Sequence, residues 1–550
     1  MTLATSSPEI PPIESERLQR RRAPPTLVIM CLHSRTPAAL VALLLAAGLA
    51  LTGCTSFSSS LSGASSSAPA STAAPAPPAP IAWTDCNAQI QPLIAKQPGS
   101  DRNLTFSCGR TEVPISYKEP RGAKLPLFLV RARLAGQVDR VGSLVVNPGG
   151  PGNSGTDAAI SLALTLPQDV MQRFDVVGFD ARGVSLSTPV KCIPDPLKEQ
   201  VIAAEPRPVT PAQLDARAAL AKQVADGCAK QYGNALDTID TVDTARDMDR
   251  IRQSLGDPKL TYLGYSYGTV LGSTYAQLFP KNVRAMVLDG AVDPNSDPAT
   301  QAENQAKALE GGFDAFASNC TGLIAGCPIG KDPRGFVNDL LTKADASPIP
   351  SSQPGDTRTA TAGVVLTAVE AGLTDSGTWP QLAQALAAAG KGDAKGVYAL
   401  ADTASGRLND GTYANRLDAR TAVTCADTAK TYTDAEIRAL ATDLNAKYPL
   451  FGAGEAAGLF TCAAWKAHRT PVPKPVAAGS PPILVVGNTG DPVTPMAGSQ
   501  NLATDLASGV LLVWQGQGHT SYPRNSCVIA AVDDYLIYLK PPLDGLTCPS

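Results

Sequence analysis

The chain has 550 residues, of which 44% are hydrophobic, and this is long enough for a large core and more than one domain. The net charge at pH 7 is −3, and the lysines and arginines are dispersed along the chain. Because no basic patch stands out, a nucleic acid is excluded as the expected partner.

The first 54 residues are typical of an export signal. Basic residues precede an apolar run at 38–51, which is too short and too alanine-rich for a stable membrane span. The run ends in Leu-Thr-Gly-Cys, which resembles a bacterial lipobox and makes Cys54 the expected site of lipidation. Two alternatives stay open: an ordinary signal peptide with an incidental cysteine, and a true start at Met30 rather than an extended basic region. We expect an exported protein, lipid-anchored to the outer face of the cytoplasmic membrane or secreted.

Residues 55–80 consist almost entirely of Ser, Ala and Pro. Such a segment cannot bury a core, and it is expected to be a disordered, extended tether between the anchor and the folded part. The folded part therefore begins near residue 81.

Ten cysteines follow the tether, and an even number outside the cytoplasm predicts disulfides. No Cys-x-x-Cys pair or Cys/His cluster suggests zinc, and no cofactor is expected. The sequence does not determine the connectivity. Pairing each cysteine with its neighbour along the chain gives Cys86–Cys108, Cys192–Cys228, Cys320–Cys327, Cys425–Cys462 and Cys527–Cys548.

Short apolar runs predict strands in the folded part, and a 3.6-residue apolar period predicts a helix at 241–255. Strands that alternate with helices indicate a mostly parallel sheet covered on both faces. Residues 296–475 are Ala-rich with few strand signals, and we predict a helical cap there, inserted between core segments 81–295 and 476–550. A closing helix is expected at 525–539. The predicted strands are 127–130, 142–147, 174–180, 260–263, 284–290, 482–488 and 509–514.

The segment Gly-Tyr-Ser-Tyr-Gly at 264–268 lies between a predicted strand and a predicted helix. Strand, G-x-S-x-G and helix form the nucleophile elbow of an α/β-hydrolase, in which the glycines permit a tight turn that raises Ser266 above the sheet. The alternative is a glycine-rich turn without function. We predict an α/β-hydrolase fold with an inserted helical cap, and Ser266 as the nucleophile.

A serine nucleophile needs a base and an orienting acid, and the chain has only three histidines. His33 lies in the export region and His468 in a polar stretch, whereas His519 directly follows the last predicted strand. Asp491 follows the preceding strand, and Ser266, Asp491, His519 is the hydrolase chain order. A turn-forming role is the alternative for Asp491. If His468 were the base, the acid would have to be sought elsewhere.

The oxyanion hole is expected from the amide of Tyr267 and from the glycine-rich loop at 147–155. A phosphate-binding loop is the rival interpretation, but the segment lacks the Lys-Ser/Thr ending of a P-loop. We predict acyl transfer through an acyl-enzyme, with the amides of Gly150 and Tyr267 stabilising the oxyanion.

In combination, five motifs of residues 81–550 resemble the actinobacterial secreted tripeptidyl aminopeptidases, which are proline-iminopeptidase-like serine peptidases. The chain also resembles mycobacterial cell-envelope lipoprotein proteases. The resemblance implies exopeptidase action on free peptide N-termini, a cap that measures the peptide, and Gly150 as the oxyanion donor. The sequence differs from the family pattern at 518–520, where it has Gly-His-Thr and many relatives have Gly-His-Gly. The motifs are Asn-Pro-Gly-Gly-Pro-Gly (147–152), Gly-Phe-Asp-Ala-Arg-Gly (178–183), Gly-Tyr-Ser-Tyr-Gly-Thr (264–269), Gly-Asp-Pro-Val-Thr-Pro (490–495) and Gly-His (518–519).

An aminopeptidase must bind the α-ammonium of its substrate, and acids in the cap are suited to this. The candidates are Glu370, Asp375 and Asp427, each with the alternative of a solvated surface role. The leading hypothesis is a serine exopeptidase that acts near free N-termini, with tripeptides as one candidate product. A carboxylesterase or lipase with the same triad is one alternative, and a non-catalytic binding lipoprotein is another. The expected partners are a peptide or protein N-terminus and, through the lipid anchor, a membrane.

Overall fold

A ten-stranded sheet forms the centre of the protein in the computed structural model, which describes residues 77–550. Its strand order is β1-β2-β3-β5-β4-β6-β7-β10-β11-β12, with β8 and β9 in a separate two-stranded hairpin. In this order, every pair from β5–β4 to β11–β12 is parallel. The pairs β1–β2, β2–β3 and β3–β5, at one edge of the sheet, are antiparallel. The strands are β1 (Thr84–Asp85), β2 (Leu104–Pro114), β3 (Lys124–Leu134), β4 (Gly142–Asn147), β5 (Phe174–Phe179), β6 (Leu260–Tyr265), β7 (Val283–Asp289), β8 (Ile349–Pro350), β9 (Thr359–Ala360), β10 (Ile483–Gly490), β11 (Gly509–Gln517) and β12 (Leu546–Cys548).

Every residue of β4, β5 and β6 is buried, as expected for parallel strands covered on both faces. Continuous apolar runs made these central strands predictable, and all seven predicted strands are confirmed within a few residues. Five strands were not predicted: β1, β2 and β12 of the main sheet, and β8 and β9 of the hairpin. In β2 buried and exposed residues alternate, so no continuous apolar run marks it.

Helices cover both faces of the sheet. The predicted helix at 241–255 is confirmed, and the predicted closing helix spans Ser526–Tyr538. The helices outside the cap region are Asn87–Ile94, Gly155–Thr165, Gln168–Arg173, Asp195–Ala203, Pro211–Tyr232, Thr241–Leu255, Tyr267–Leu278, Met496–Asp505 and Ser526–Tyr538, with 3₁₀ turns at Gly233–Thr238 and Pro280–Asn282.

The chain between β7 and β10 is helical and has its own apolar core around Phe313, Phe316 and Trp379. We call this region the cap. Helix Pro211–Tyr232, which precedes β6, packs against it through a cluster that joins Leu214 to cap residues. The helical layer over the sheet is therefore built from two stretches of sequence. The cap helices are Pro298–Thr321, Pro333–Ala346, Ala362–Leu373, Trp379–Gly390, Lys395–Ser405, Arg416–Asp427, Asp434–Lys447, Gly452–Gly458 and Phe460–Ala463, with a 3₁₀ turn at Ser376–Thr378.

The structure contains all five disulfides predicted from neighbouring cysteines. They are Cys86–Cys108, Cys192–Cys228, Cys320–Cys327, Cys425–Cys462 and Cys527–Cys548. The predicted export signal, Cys54 and nearly all of the predicted tether lie outside the described residues. Over residues 77–550, no helix combines the length and apolar character that crossing a bilayer requires.

Candidate active site

Ser266 lies at the end of β6, between the strand and helix Tyr267–Leu278. Its backbone has φ 55° and ψ −124°, a conformation that is costly for a residue with a side chain and that recurs at functional sites. A Cβ atom on Gly264 would lie 2.4 Å from the carbonyl oxygen of Gly268, and one on Gly268 would lie 2.8 Å from that of Asn147. Only glycine fits at these two positions, which explains the spacing of the predicted elbow.

His519 and Asp491 form a hydrogen-bonded pair at the same edge of the sheet. Asp491 follows β10 and His519 follows β11, and these parallel strands are neighbours. The distances from His519 Nδ1 to Asp491 Oδ2 and Oδ1 are 2.9 and 3.1 Å. The His519 side chain is 20% exposed and that of Asp491 is fully buried. This is the arrangement in which a carboxylate orients an imidazole.

Asp491 is held in its charged form by its neighbours. Burial on its own raises the pKa of this carboxyl, but His519 and the hydrogen bonds it accepts bring the pKa below its ordinary value. The donors are the amides of Val493 and Thr494, each at 2.8 Å, and the Thr494 hydroxyl at 2.9 Å. Thr520, at the departure from Gly-His-Gly, has φ +66° and donates its amide to Asp491 at 3.2 Å.

The imidazole of His519 lies next to the strand that supports the elbow. The Ser266 amide donates to the carbonyl of Asp289 at 2.9 Å, and a Cβ atom on the following Gly290 would lie 3.3 Å from His519 Cε1. No hydrogen bond joins the side chains of Ser266 and His519, and such catalytic contacts commonly tighten only with substrate. His468 is exposed, and its amide donates to Asp237 at 2.8 Å.

The predicted oxyanion loop folds over the elbow. A Cβ atom on Gly149 would lie 2.9 Å from Ser266 Cβ and 3.0 Å from the Tyr267 nitrogen, and its φ is +89°. Gly150 follows with φ +110°, and it lines the same cavity as Ser266 and Tyr267. The two predicted oxyanion donors, Gly150 and Tyr267, therefore both border the cavity beside Ser266.

A cavity of about 930 Å³ separates the elbow from the cap. Ser266, Tyr267 and Gly150 form part of one wall, and the other walls come from the cap and from the helix that contains Lys198. Although parts of the lining are apolar, the cavity also contains several charged side chains. They are Lys198, Asp297, Glu370, Arg416, Arg420, Asp427, Lys430 and Glu455.

Residues 142–525 match a family described as the alpha/beta hydrolase fold. The chain belongs to the α/β-hydrolase family. It is 38% identical to serine protease Hip1 of Mycobacterium tuberculosis, over 85% of this chain and 91% of that protein. It is 33% identical to carboxylesterase B of Mycobacterium tuberculosis, over 81% and 86% of the two chains. It is 32% identical to tripeptidyl aminopeptidase of Streptomyces lividans, over 86% and 87%.

The protein is therefore an enzyme of the α/β-hydrolase fold. Together, the family and the two relatives named as peptidases support a serine peptidase of this type. Each of these three relatives has an enzyme name, and none of them supports a binding protein without catalytic activity.

Two glutamates of this hydrolase face the cavity without a direct partner. Among the described residues, neither the Glu370 carboxylate nor the Glu455 carboxylate has a hydrogen bond or an ion pair. Burial raises the pKa of Glu370 to about 7. Burial and the charge of Glu370 raise the pKa of Glu455 to about 8, and the positive charges of Arg217 and Arg420 oppose both shifts. Glu455 and Arg420 were not among the predicted site residues. A signal for Glu455 was present, because it is the only charged residue in the helix Gly452–Gly458.

Asp427 also lines the cavity, but its carboxylate is already engaged. It accepts the amide of Thr241 at 3.0 Å and the Thr241 hydroxyl at 2.6 Å. That hydroxyl lies 2.5 Å from the phenolic oxygen of Tyr267, the residue after the nucleophile. Burial raises the pKa of Asp427 to about 7. Its contacts connect it to the elbow, so it is a weaker candidate for the substrate ammonium than Glu370.

Asp375 does not reach the cavity, and its prediction as an ammonium ligand needs correction. Its Oδ2 lies 3.1 Å from Arg524, and its Oδ1 accepts the amide of Gly377 at 2.9 Å. The cavity lining ends at Thr374 on this side, and the carboxylate of Asp375 is used to start the 3₁₀ turn Ser376–Thr378. The sequence offered no way to see this, because Arg524 is 149 positions away.

Proposed function

We propose that this hydrolase is a serine exopeptidase that cleaves peptides near a free N-terminus. In this reaction His519 accepts the proton of Ser266 as the serine attacks the peptide carbonyl, and Asp491 holds the imidazole and stabilises its charged form. The amides of Gly150 and Tyr267 stabilise the oxyanion. The His519 imidazolium then protonates the leaving amine, and water hydrolyses the acyl-enzyme.

The observation that carries the exopeptidase proposal is the pair of unpartnered glutamates across the cavity from Ser266. An ammonium group that enters this cavity loses its water, so it needs a carboxylate as a partner. Glu370 and Glu455 offer two, and neither has another direct partner among residues 77–550. A ligand that supplies a positive charge would compensate for their burial. The cap covers part of the cavity, and we expect this cover to favour the end of a peptide over the interior of a long chain.

A carboxylesterase is the second candidate, because a relative with 33% identity has that name. An ester with a long acyl chain would favour an apolar cavity. The eight charged side chains in the lining argue for a peptide instead.

We further propose that the enzyme is exported and acts at the cell envelope. Five disulfides are typical of proteins outside the cytoplasm. The lipobox-like Cys54 would anchor the protein to a membrane, and the Ser/Ala/Pro-rich segment would hold the folded part away from the surface.

The test uses tripeptidyl amides with free or acetylated N-termini and p-nitrophenyl esters of increasing chain length. Cleavage of the free amides is expected, with loss of kcat/KM on acetylation. For the free substrates, Glu370→Gln and Glu455→Gln are each expected to lower kcat/KM by about 10- to 100-fold, because a hydrogen bond to a charged group is lost. Glu303→Gln is the matched control, since this cap glutamate pairs with Lys447 outside the cavity.

Two results would contradict the proposal. Ester cleavage without amide cleavage would leave an esterase on a peptidase-like scaffold. Equal cleavage of free and acetylated peptides would show that no ammonium site operates. Ser266→Ala should abolish every activity that belongs to this site.

A further inference from the structure

The loop that carries His519 is attached to the cap as well as to the sheet. The backbone amide of His519 donates to the carbonyl of Thr374 at 2.6 Å, and the neighbouring Gly518 forms an antiparallel bridge with Asp375. Thr374 is the residue that ends the cap helix Ala362–Leu373. The position of the imidazole therefore depends on a cap segment that lies about 145 residues earlier in the chain.

An ion pair reinforces this backbone contact. Arg524, which follows His519 by five positions, lies 3.1 Å from Asp375. The two side chains are 35% and 28% exposed, so water partly screens the pair, and it should contribute little to global stability. Gly518 makes the approach possible, since its φ is +107° and a Cβ atom there would lie 3.1 Å from the Thr374 oxygen. The pair thus restrains one loop rather than the whole fold.

The opposite side of the same loop is held by the core. Asp289, fully buried at the end of β7, accepts the amides of Ser521 and Tyr522 at 3.0 and 2.7 Å. The loop is therefore fixed between two carboxylates, Asp289 in the sheet and Asp375 in the cap. Of the two carboxylates, only Asp375 would be moved away from the loop by a movement of the cap, and Thr374 would move with it.

We propose that Asp375 and Arg524 form a clamp through which the cap positions His519 for catalysis. Asp375 is then a positioning residue and not a substrate ligand. The inference rests on the role of His519 under the proposed function. In the catalytic cycle, displacing the cap would remove Thr374, the partner of the His519 amide. Proton transfer by His519 therefore requires the cap in place. Glu370 lies one helical turn before Thr374, and this connects the proposed ammonium site to the same clamp.

The test compares Asp375→Asn, Asp375→Arg and the charge-exchanged double variant Asp375→Arg/Arg524→Asp in the full-length protein. Asparagine can still accept the Gly377 amide but loses the ion pair. Arg438→Gln is the matched control, because Arg438 pairs with Asp215 at 2.7 Å and this pair has no contact with the His519 loop. The substrates are a free tripeptidyl amide and p-nitrophenyl acetate, which is too small to reach the ammonium site.

Per active site titrated with a fluorophosphonate, kcat should fall about tenfold for Asp375→Arg and less for Asp375→Asn, with KM within about twofold. The loss should appear with both substrates, and the double variant should recover to within about threefold of the native enzyme. Hydrogen exchange of the 518–520 segment should become faster in Asp375→Arg and return in the double variant. Arg438→Gln should behave as the native enzyme does.

An unchanged kcat in Asp375→Arg despite faster exchange would overturn the clamp. A loss restricted to peptides with a free N-terminus would also overturn it, since Asp375 would then be a substrate ligand. Absence of recovery in the double variant would count against the ion pair as the cause. A separate variant, His519→Gln, identifies a failure of the proposed function: if it keeps full activity, His519 is not the base, whatever the clamp does.

Discussion

Asp491 and Glu370 are both acids near the same cavity, but their surroundings differ. Asp491 is buried, accepts three backbone amides and a hydroxyl, and contacts His519. Its pKa lies below the ordinary value. Glu370 has no direct partner among the described residues, and burial raises its pKa to about 7. The carboxylate of Asp491 accepts its hydrogen bonds from the protein, whereas the carboxylate of Glu370 can still accept hydrogen bonds from a ligand.

This difference separates acids whose carboxylates are hydrogen-bonded within the protein from acids whose carboxylates are available to a ligand. Asp247 is in the same class as Asp491, because it is fully buried and forms a bidentate ion pair with Arg182 of the Gly-Phe-Asp-Ala-Arg-Gly segment. Glu455 is in the same class as Glu370, because neither carboxylate has a direct partner among the described residues. A buried carboxylate without a partner costs free energy, so its retention beside a nucleophile is informative. The three predictions below test this division, from the largest expected effect to the smallest.

Asp491→Asn is expected to lower kcat by about 10³- to 10⁴-fold, because an amide in this position favours the wrong imidazole tautomer. The measurement is the rate of amide cleavage per folded molecule. Asp443→Asn is the control, since Asp443 pairs with Lys447 at 2.9 Å and neither residue lines the cavity. A loss below about tenfold would mean that Asp491 has only a structural role.

The KM for free-N-terminal peptides is expected to depend on pH through Glu370 and Glu455. With pKa values of about 7 and about 8, these groups are largely protonated at pH 6 and cannot pair well with an ammonium. The KM should therefore fall about tenfold from pH 6 to pH 8, and rise again at higher pH as the substrate amine, with a pKa near 8, loses its proton.

Acetylated peptides should lack this dependence, and so should Glu370→Gln/Glu455→Gln with free peptides. The same fall in KM for both substrate series would assign the titration to another group. In that case the unpartnered carboxylates of Glu370 and Glu455 would no longer explain the binding of peptides with a free N-terminus.

Asp427→Asn tests the intermediate case, an acid that lines the cavity but is engaged by Thr241. Because Thr241 in turn contacts the Tyr267 phenol, the change is expected to lower kcat about three- to tenfold with KM nearly unchanged. The affinity for a peptide aldehyde, which forms an oxyanion, should fall in parallel. A rise in KM without a change in kcat would place Asp427 with the ligand-binding acids.

Much of the sheet could be predicted because parallel strands buried on both faces produce continuous apolar runs. The residues that follow β6, β10 and β11 lie together because the carboxyl ends of neighbouring parallel strands meet at one edge. Chain order and the count of histidines were therefore enough to select Ser266, Asp491 and His519, and the structure has them at that edge. Neighbouring cysteines also paired as predicted, and each of these pairs closes a loop of 37 residues or fewer.

The cap acids show what the sequence could not provide. Three acids of the predicted cap were proposed as ammonium ligands. Glu370, Asp375 and Asp427 have three different environments: the cavity wall, an ion pair with Arg524, and a contact with the elbow. Glu455 was not proposed at all. Helical periodicity predicts which side of a helix is apolar, but it does not predict which distant helix or loop that side meets.

The sequence by itself determined the fold class, the elbow, and the acid and histidine candidates. Each of these depends on a few adjacent residues or on the order of strands in a parallel sheet. Only the tertiary structure decided which carboxylates are free, which are engaged, and that the cap contacts the backbone of His519. These properties come from packing between segments far apart in the chain, where the direction of one side chain depends on the position of every helix around it.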